Sequence, residues 1–86
     1  MIITREIVAA KLAAYLRHEI ELSELVDWAE KAMMDGEFES SHLPQIRDAV
    51  SRLGLADARA FGLTWANCEK LLNQLGYSAR VEISAT

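Results

Sequence analysis

Three glycines, Gly36, Gly54 and Gly76, each follow a run of apolar residues spaced three and four apart. That repetition constrains the fold more than any other feature of the chain. The segments "RLGL" at 52–55 and "QLGY" at 74–77 share one pattern. Apolar residues at this spacing cover one face of a helix, and a glycine just beyond them supplies backbone that ends it. The apolar residue after the glycine then folds back onto the last turn, Leu55 toward Val50 and Tyr77 toward Leu72. Four helices are expected, at about 5–18, 23–35, 42–53 and 64–75.

Start signals support the same division. Thr4 stands where a side-chain oxygen can cap the first helix, whose stripe is Val8, Leu12, Tyr15 and Leu16. Its alanines at 9, 10, 13 and 14 favour helix and let a neighbour approach closely. After a kink at "EIEL", Ser23 is expected to cap the second helix, with Glu24 suited to the positive end of its dipole. Leu25, Val26, Ala29, Ala32 and Met33 form that stripe, with Trp28 at its edge. Ser40 or Ser41 would cap the third helix, Pro44 being tolerated in its first turn, and Leu43, Ile46, Val50 and Leu53 form the stripe. Thr64 caps the fourth, Leu63 and Cys68 are placed for a hydrophobic staple, and Trp65, Cys68, Leu71, Leu72 and Leu75 face inward. Between the last two helices "ADARAFG" reads as one short helical turn, capped by Asp57 and closed by Gly62.

The period changes at the end. Tyr77, Ala79, Val81 and Ile83 alternate with Ser78, Arg80 and Glu82, a strand pattern over about 77–83. A lone strand cannot satisfy its own backbone, so it requires the N-terminal "MIIT", the same strand of a second copy in a homodimer, or a partner's edge. The expected fold is therefore an all-α single-domain bundle of four main helices plus one short helical turn, with a short C-terminal β-strand. The 86 residues suffice for one core and not for two.

Composition bounds the functions. A content of 51% hydrophobic and 26% charged residues is that of an ordinary globular domain. The single Cys68 has no disulfide partner within the chain, which suits a reducing compartment. Charges at positions 5, 6 and 11 interrupt the first apolar stretch too often for a signal peptide or membrane span, so a cytoplasmic protein is expected. Net charge is −4, and it is uneven: residues 19–39 carry eight acids against Lys31 alone. Such a surface repels phosphate and attracts basic partners.

Catalytic and metal chemistry find little footing. A calcium loop starting at Asp35 would use Glu37 and Glu39, but Ser40 stands where glycine is needed and Ile46 where the bidentate glutamate is needed. His18, His42 and Cys68 show no ligand spacing, and Cys68 falls on an apolar stripe. Ser41 and His42 are neighbours, without an activating loop. The glycines follow helices rather than precede them, so they are stops and not phosphate cradles. No enzyme activity, cofactor or metal is expected.

Two binding readings remain. In the first, a non-enzymatic interaction module presents Glu24, Asp27, Trp28, Glu30, Glu37 and Glu39 to a basic protein partner, in the manner of a small inhibitor, immunity protein or regulator. In the second, a dimeric nucleic-acid-associated regulator uses the third and fourth helices, which offer Gln45, Arg47 and Arg52, and Asn67, Lys70, Asn73 and Gln74. The ending "LLNQLGYSARVEI" resembles, in architecture, dimeric bacterial regulators joined by tail strands. Set against net charge −4 these groups are few, and nucleic acid is the less expected partner.

Overall fold

A computed structural model of the chain describes residues 2–56 and 63–78. In chain order the elements are β1 (Ile2–Ile3), α1 (Arg5–Leu16), α2 (Leu22–Asp35), β2 (Glu37–Phe38), a 3-10 turn (Ser40–His42), α3 (Leu43–Leu53) and α4 (Trp65–Gln74). The helical bundle is as expected. Its core draws Val8 and Leu12 from α1, Leu25 and Ala29 from α2, Ile46, Val50 and Leu53 from α3, and Cys68, Leu71 and Leu72 from α4. α2 packs most extensively on α3. The stripes end less tidily than their spacing suggests, because Met33, Leu43 and Trp65, each in the first or last turn of its helix, are exposed.

Both threonine caps form as anticipated. Thr4 Oγ1 accepts from the Ile7 N–H at 3.2 Å. Thr64 Oγ1 accepts from the Asn67 N–H at 3.2 Å while Asn67 Oδ1 accepts from the Thr64 N–H at 3.0 Å, so each residue satisfies a donor the other exposes. Cys68 is buried and Leu63 lies half-buried against the core, the positions a staple requires. The serine caps do not form. α2 begins at Leu22, because the Leu25 N–H already reaches the Glu21 carbonyl at 3.1 Å, and Ser23 falls inside the first turn. Ser41 donates instead to Glu39 Oε1 at 2.9 Å, a charged acceptor, and α3 starts after His42.

The glycine stops divide into three kinds. Gly76, at φ +93°, is left-handed, and the Gly76 and Tyr77 N–H groups donate to the carbonyls of Asn73 and Leu72 at 3.0 and 2.8 Å. That is the expected closure, with Tyr77 half-buried against the core. Gly54 differs: at φ −64°, ψ −16° it prolongs α3, and the N–H groups of Leu55 and Ala56 donate to Arg52 and Leu53 in i→i+3 bonds of 3.2 Å. Leu55 therefore stays exposed rather than folding onto Val50. Gly36 is extended, and its lack of a side chain serves close approach, since a Cβ there would lie 2.6 Å from the Ala32 carbonyl oxygen and 2.9 Å from Ile3 Cγ1.

A second left-handed residue carried no glycine to announce it. α1 ends at Leu16, two residues early, with His18 at φ +62°. The N–H groups of His18 and Glu19 donate to Tyr15 and Ala14 at 3.1 and 2.9 Å, the same paired closure that Gly76 makes.

The described sheet lies near the N-terminus and not at the C-terminus. β1 and β2 run parallel, Ile2 opposite Glu37 and Ile3 opposite Phe38, and the Glu39 N–H extends the ladder to the Ile3 carbonyl at 2.9 Å. The "MIIT" segment is a strand as anticipated, but β2 is its partner, because Gly36 lets the chain leaving α2 pass directly over Ile3. Of the expected strand at 77–83, Tyr77 and Ser78 are not in strand and the rest lies outside the described residues, as does most of the turn expected at 56–62.

Candidate functional site

The outer side of α2 carries most of the candidate residues. Around a helix, residues advance by about 100°. Ala29 is fully buried, and Glu24, Asp27 and Glu30 lie on the sides turned away from it, all exposed. Among the described residues no ion pair within 4 Å involves these three carboxylates; the pairs found are Arg5–Glu6, Arg17–Glu19 and Arg52–Asp48. Glu37 is exposed on β2, just beyond the end of α2.

Trp28 and Glu39 are less open than these carboxylates. Trp28 is half-buried against the core, and the Lys11 ammonium of α1 lies 5.7 Å from its ring centroid. The indole therefore serves the α1–α2 contact; around the helix it lies about 160° from Glu30 and about 40° from Glu24, four residues before it. Glu30 leans the other way, its Cγ within 3.9 Å of the position a Gly54 Cβ would take on α3. Glu39 is turned inward: Oε1 accepts from Ser41, and Oε2 is enclosed without a hydrogen-bond partner among the described residues. The structure thus leaves Glu24, Asp27, Glu30 and Glu37 exposed, packs Trp28 against the core beside Lys11, and turns Glu39 inward.

Reading by residue type overlooked the apolar part of this face. Met34 is 81% exposed, the most of any large apolar residue among those described, and Met33 is 38% exposed. Met34 falls close to Asp27 and Glu30 around the helix, seven and four residues on. The available signal was the "MM" pair itself, since only its first member fits the stripe.

Three other places hold polar chemistry. Ser41 Oγ lies 3.2 Å from His42 Nδ1 as well as 2.9 Å from Glu39. A hydroxyl has one proton, and while Ser41 gives it to Glu39 the imidazole faces an acceptor, the reverse of what activates a nucleophile. Near it, the Glu6 carboxyl is held below its ordinary value, first by its backbone N–H at the start of α1, then by the Thr4 hydroxyl, with smaller help from Arg5 and His42. Between the end of α1 and the start of α4 lies a cavity of about 550 Å³, walled by Tyr15, Leu16, Ile20, Leu63, Trp65 and Cys68, with His18, Glu21 and Thr64 as its polar groups. Burial pushes the Cys68 thiol above its ordinary value, its backbone N–H opposing, so the sulfur is kept protonated rather than primed as a nucleophile.

The outer faces of α3 and α4 are partly engaged with each other. Gln74 Nε2 donates to the Gln45 carbonyl and to Asp48 Oδ2, both at 3.0 Å, and Arg52 Nε donates to the same carboxylate at 3.0 Å. Arg47, Lys70 and Asn73 remain exposed. No group of three or more metal-ligating side chains occurs among the described residues, and no helix among them is long and apolar enough to cross a membrane. No known protein family, curated protein or solved structure matches this chain.

Proposed function

We propose that this protein is a non-enzymatic interaction module that presents the outer face of α2 to a basic protein partner, in the manner of a small inhibitor, immunity protein or regulator. The observation that carries this reading is that Glu24, Asp27 and Glu30 are exposed on one rigid helix without ion-pair partners among the described residues. Residues 19–39 hold eight acids against one lysine, Lys31, which is exposed four residues after Asp27. A field of that sign speeds the approach of a basic surface and repels nucleic acid and anionic lipid.

The test is charge reversal at Glu24, Asp27 and Glu30 to Lys, followed by titration with a basic peptide at two salt concentrations. Loss of binding in the variant, with wild-type affinity falling as salt rises, supports the reading; equal affinity of the two proteins refutes it. An exposed ion pair contributes roughly 0.2–1 kcal/mol, so carboxylates alone would give attraction without tight binding. The nucleic-acid reading draws less support, because Gln74 and Arg52 both bond to Asp48, a carboxylate that would repel a phosphate brought beside them.

A further inference from the structure

The carboxylates of α2 account for attraction and leave open what the face grips. An interface core is apolar and excludes water, while its charged rim chiefly guides approach. On α2 the apolar element is at the C-terminal turn, where Met33 and Met34 are 38% and 81% exposed beside Glu30 and Asp35. Neither contributes to the buried cluster, which takes Leu25, Ala29 and Ala32 from this helix. Methionine is unbranched and polarisable, so it adapts to varied apolar shapes, and a Met-rich surface ringed by acids suits targets that pair apolar residues with bases.

We propose that Met33 and Met34 are the anchor of this face, and that its occupant is a basic amphipathic helix of a partner protein. The inference rests on the α2 reading given above and adds the partner's chemical class. Geometry sets the register: from Asp27 to Met34 is seven residues, about 10 Å of helix, or two turns. The occupant lays apolar residues three and four apart over the methionines and places Lys or Arg one and two turns away, against Glu30 and Asp27. Charge decides against other occupants. A second copy would bring the same acidic face against this one, and a phosphate-bearing surface would meet repulsion from the whole of 19–39.

The probes are two synthetic peptides of equal length and charge, one with Leu three and four residues apart and Lys on the flanking positions, the other with every Leu replaced by Gln. The full chain is expected to bind the leucine peptide at least about tenfold more tightly, since burying one methionine is worth one or more tenfold steps. In Met33→Gln/Met34→Gln, which keeps a good helix former at two exposed positions, that gap should shrink to within about threefold, the glutamine peptide binding as before. Circular dichroism checks that the variant is folded.

A variant that retains the tenfold gap overturns the anchor, because the leucines would then be held elsewhere, for example in the cavity between α1 and α4. Equal binding of the two peptides by the wild type overturns the anchor alone and leaves the acidic-face reading standing. Binding that survives reversal of Glu24, Asp27 and Glu30 overturns both. A dimer seen by sedimentation that dissociates in the methionine variant overturns the choice of occupant in favour of a second copy.

Discussion

Replacing Gly76 with alanine tests the closure of α4 most sharply. The residue sits at φ +93°, where an L-side chain crowds its own backbone by roughly 1–2 kcal/mol. The added Cβ would also lie 2.8 Å from Arg5 Nη1. That group is the end of a flexible side chain and can move, but moving weakens its 3.4 Å hydrogen bond to the Leu75 carbonyl and its place 5.9 Å from the Tyr77 ring centroid. The cation–π part of that loss is roughly 0.5–1 kcal/mol at an exposed site. Against these, alanine narrows the unfolded ensemble, returning roughly 0.4–1 kcal/mol. The net expectation is destabilisation by about 1–2 kcal/mol, and with roughly 4–8 °C per kcal/mol for a domain of this size the melting temperature falls by about 5–15 °C. Thermal and urea unfolding followed by far-UV circular dichroism measure it. In an Arg5→Met background the same glycine substitution should be milder, because the displaced guanidinium is already gone. An unchanged or raised midpoint for Gly76→Ala would refute the left-handed closure and the Arg5 contact built on it.

Gly54→Ala should have the opposite sign: φ is −64° and a Cβ would meet nothing nearer than the Ser51 carbonyl oxygen at 3.6 Å, so a gain of about 0.4–1 kcal/mol is expected in urea titration. A loss there would mean that the chain turns left at residue 54 after all. His18→Gly relieves the left-handed strain at φ +62°, offset in part by glycine's greater freedom when unfolded, for a net gain of roughly 0.5–1 kcal/mol; a drop in melting temperature would contradict it. For Cys68 the sign follows from its raised thiol value: the unfolded chain ionises first, so stability is intact below about pH 9 and declines as pH rises beyond it. The stability difference between the wild type and Cys68→Ala should therefore narrow between pH 8 and about pH 10, and a constant difference would argue that the thiol is not buried.

What could be read in advance was what short-range chemistry decides. Thr4 and Thr64 cap helices because a side-chain oxygen reaches an N–H three residues away, whereas Ser23 and Ser41 fail as caps because the neighbouring Glu21 carbonyl and Glu39 carboxylate take those bonds instead. The stripes from Val8 to Leu72 succeed because burial follows helical period. Gly54 and Gly76 sit in near-identical local patterns and yet differ, since a glycine permits left-handed backbone without demanding it. His18 takes that conformation with no glycine there, and histidine, though enriched among left-handed residues, adopts it too seldom to be read as a stop. β1 and β2 are each two residues long, too short to show a period, and their pairing depends on residues some thirty-five positions apart. At the candidate site, the acids of α2 were legible from composition. The inward turn of Glu39 and the packing of Trp28 under Lys11 were not, because both depend on neighbours from other elements.

The most direct measurement is an NMR titration of the isotopically labelled chain with the leucine–lysine peptide, repeated on the variant with Glu24, Asp27 and Glu30 reversed to Lys. Amide shifts concentrated along the outer side of α2 from Glu24 to Met34, lost in the reversed variant, are the expected result. Shifts concentrated on α3 and α4 or around the α1–α4 cavity, or an undiminished response from the reversed variant, would contradict the assignment of α2 as the docking face.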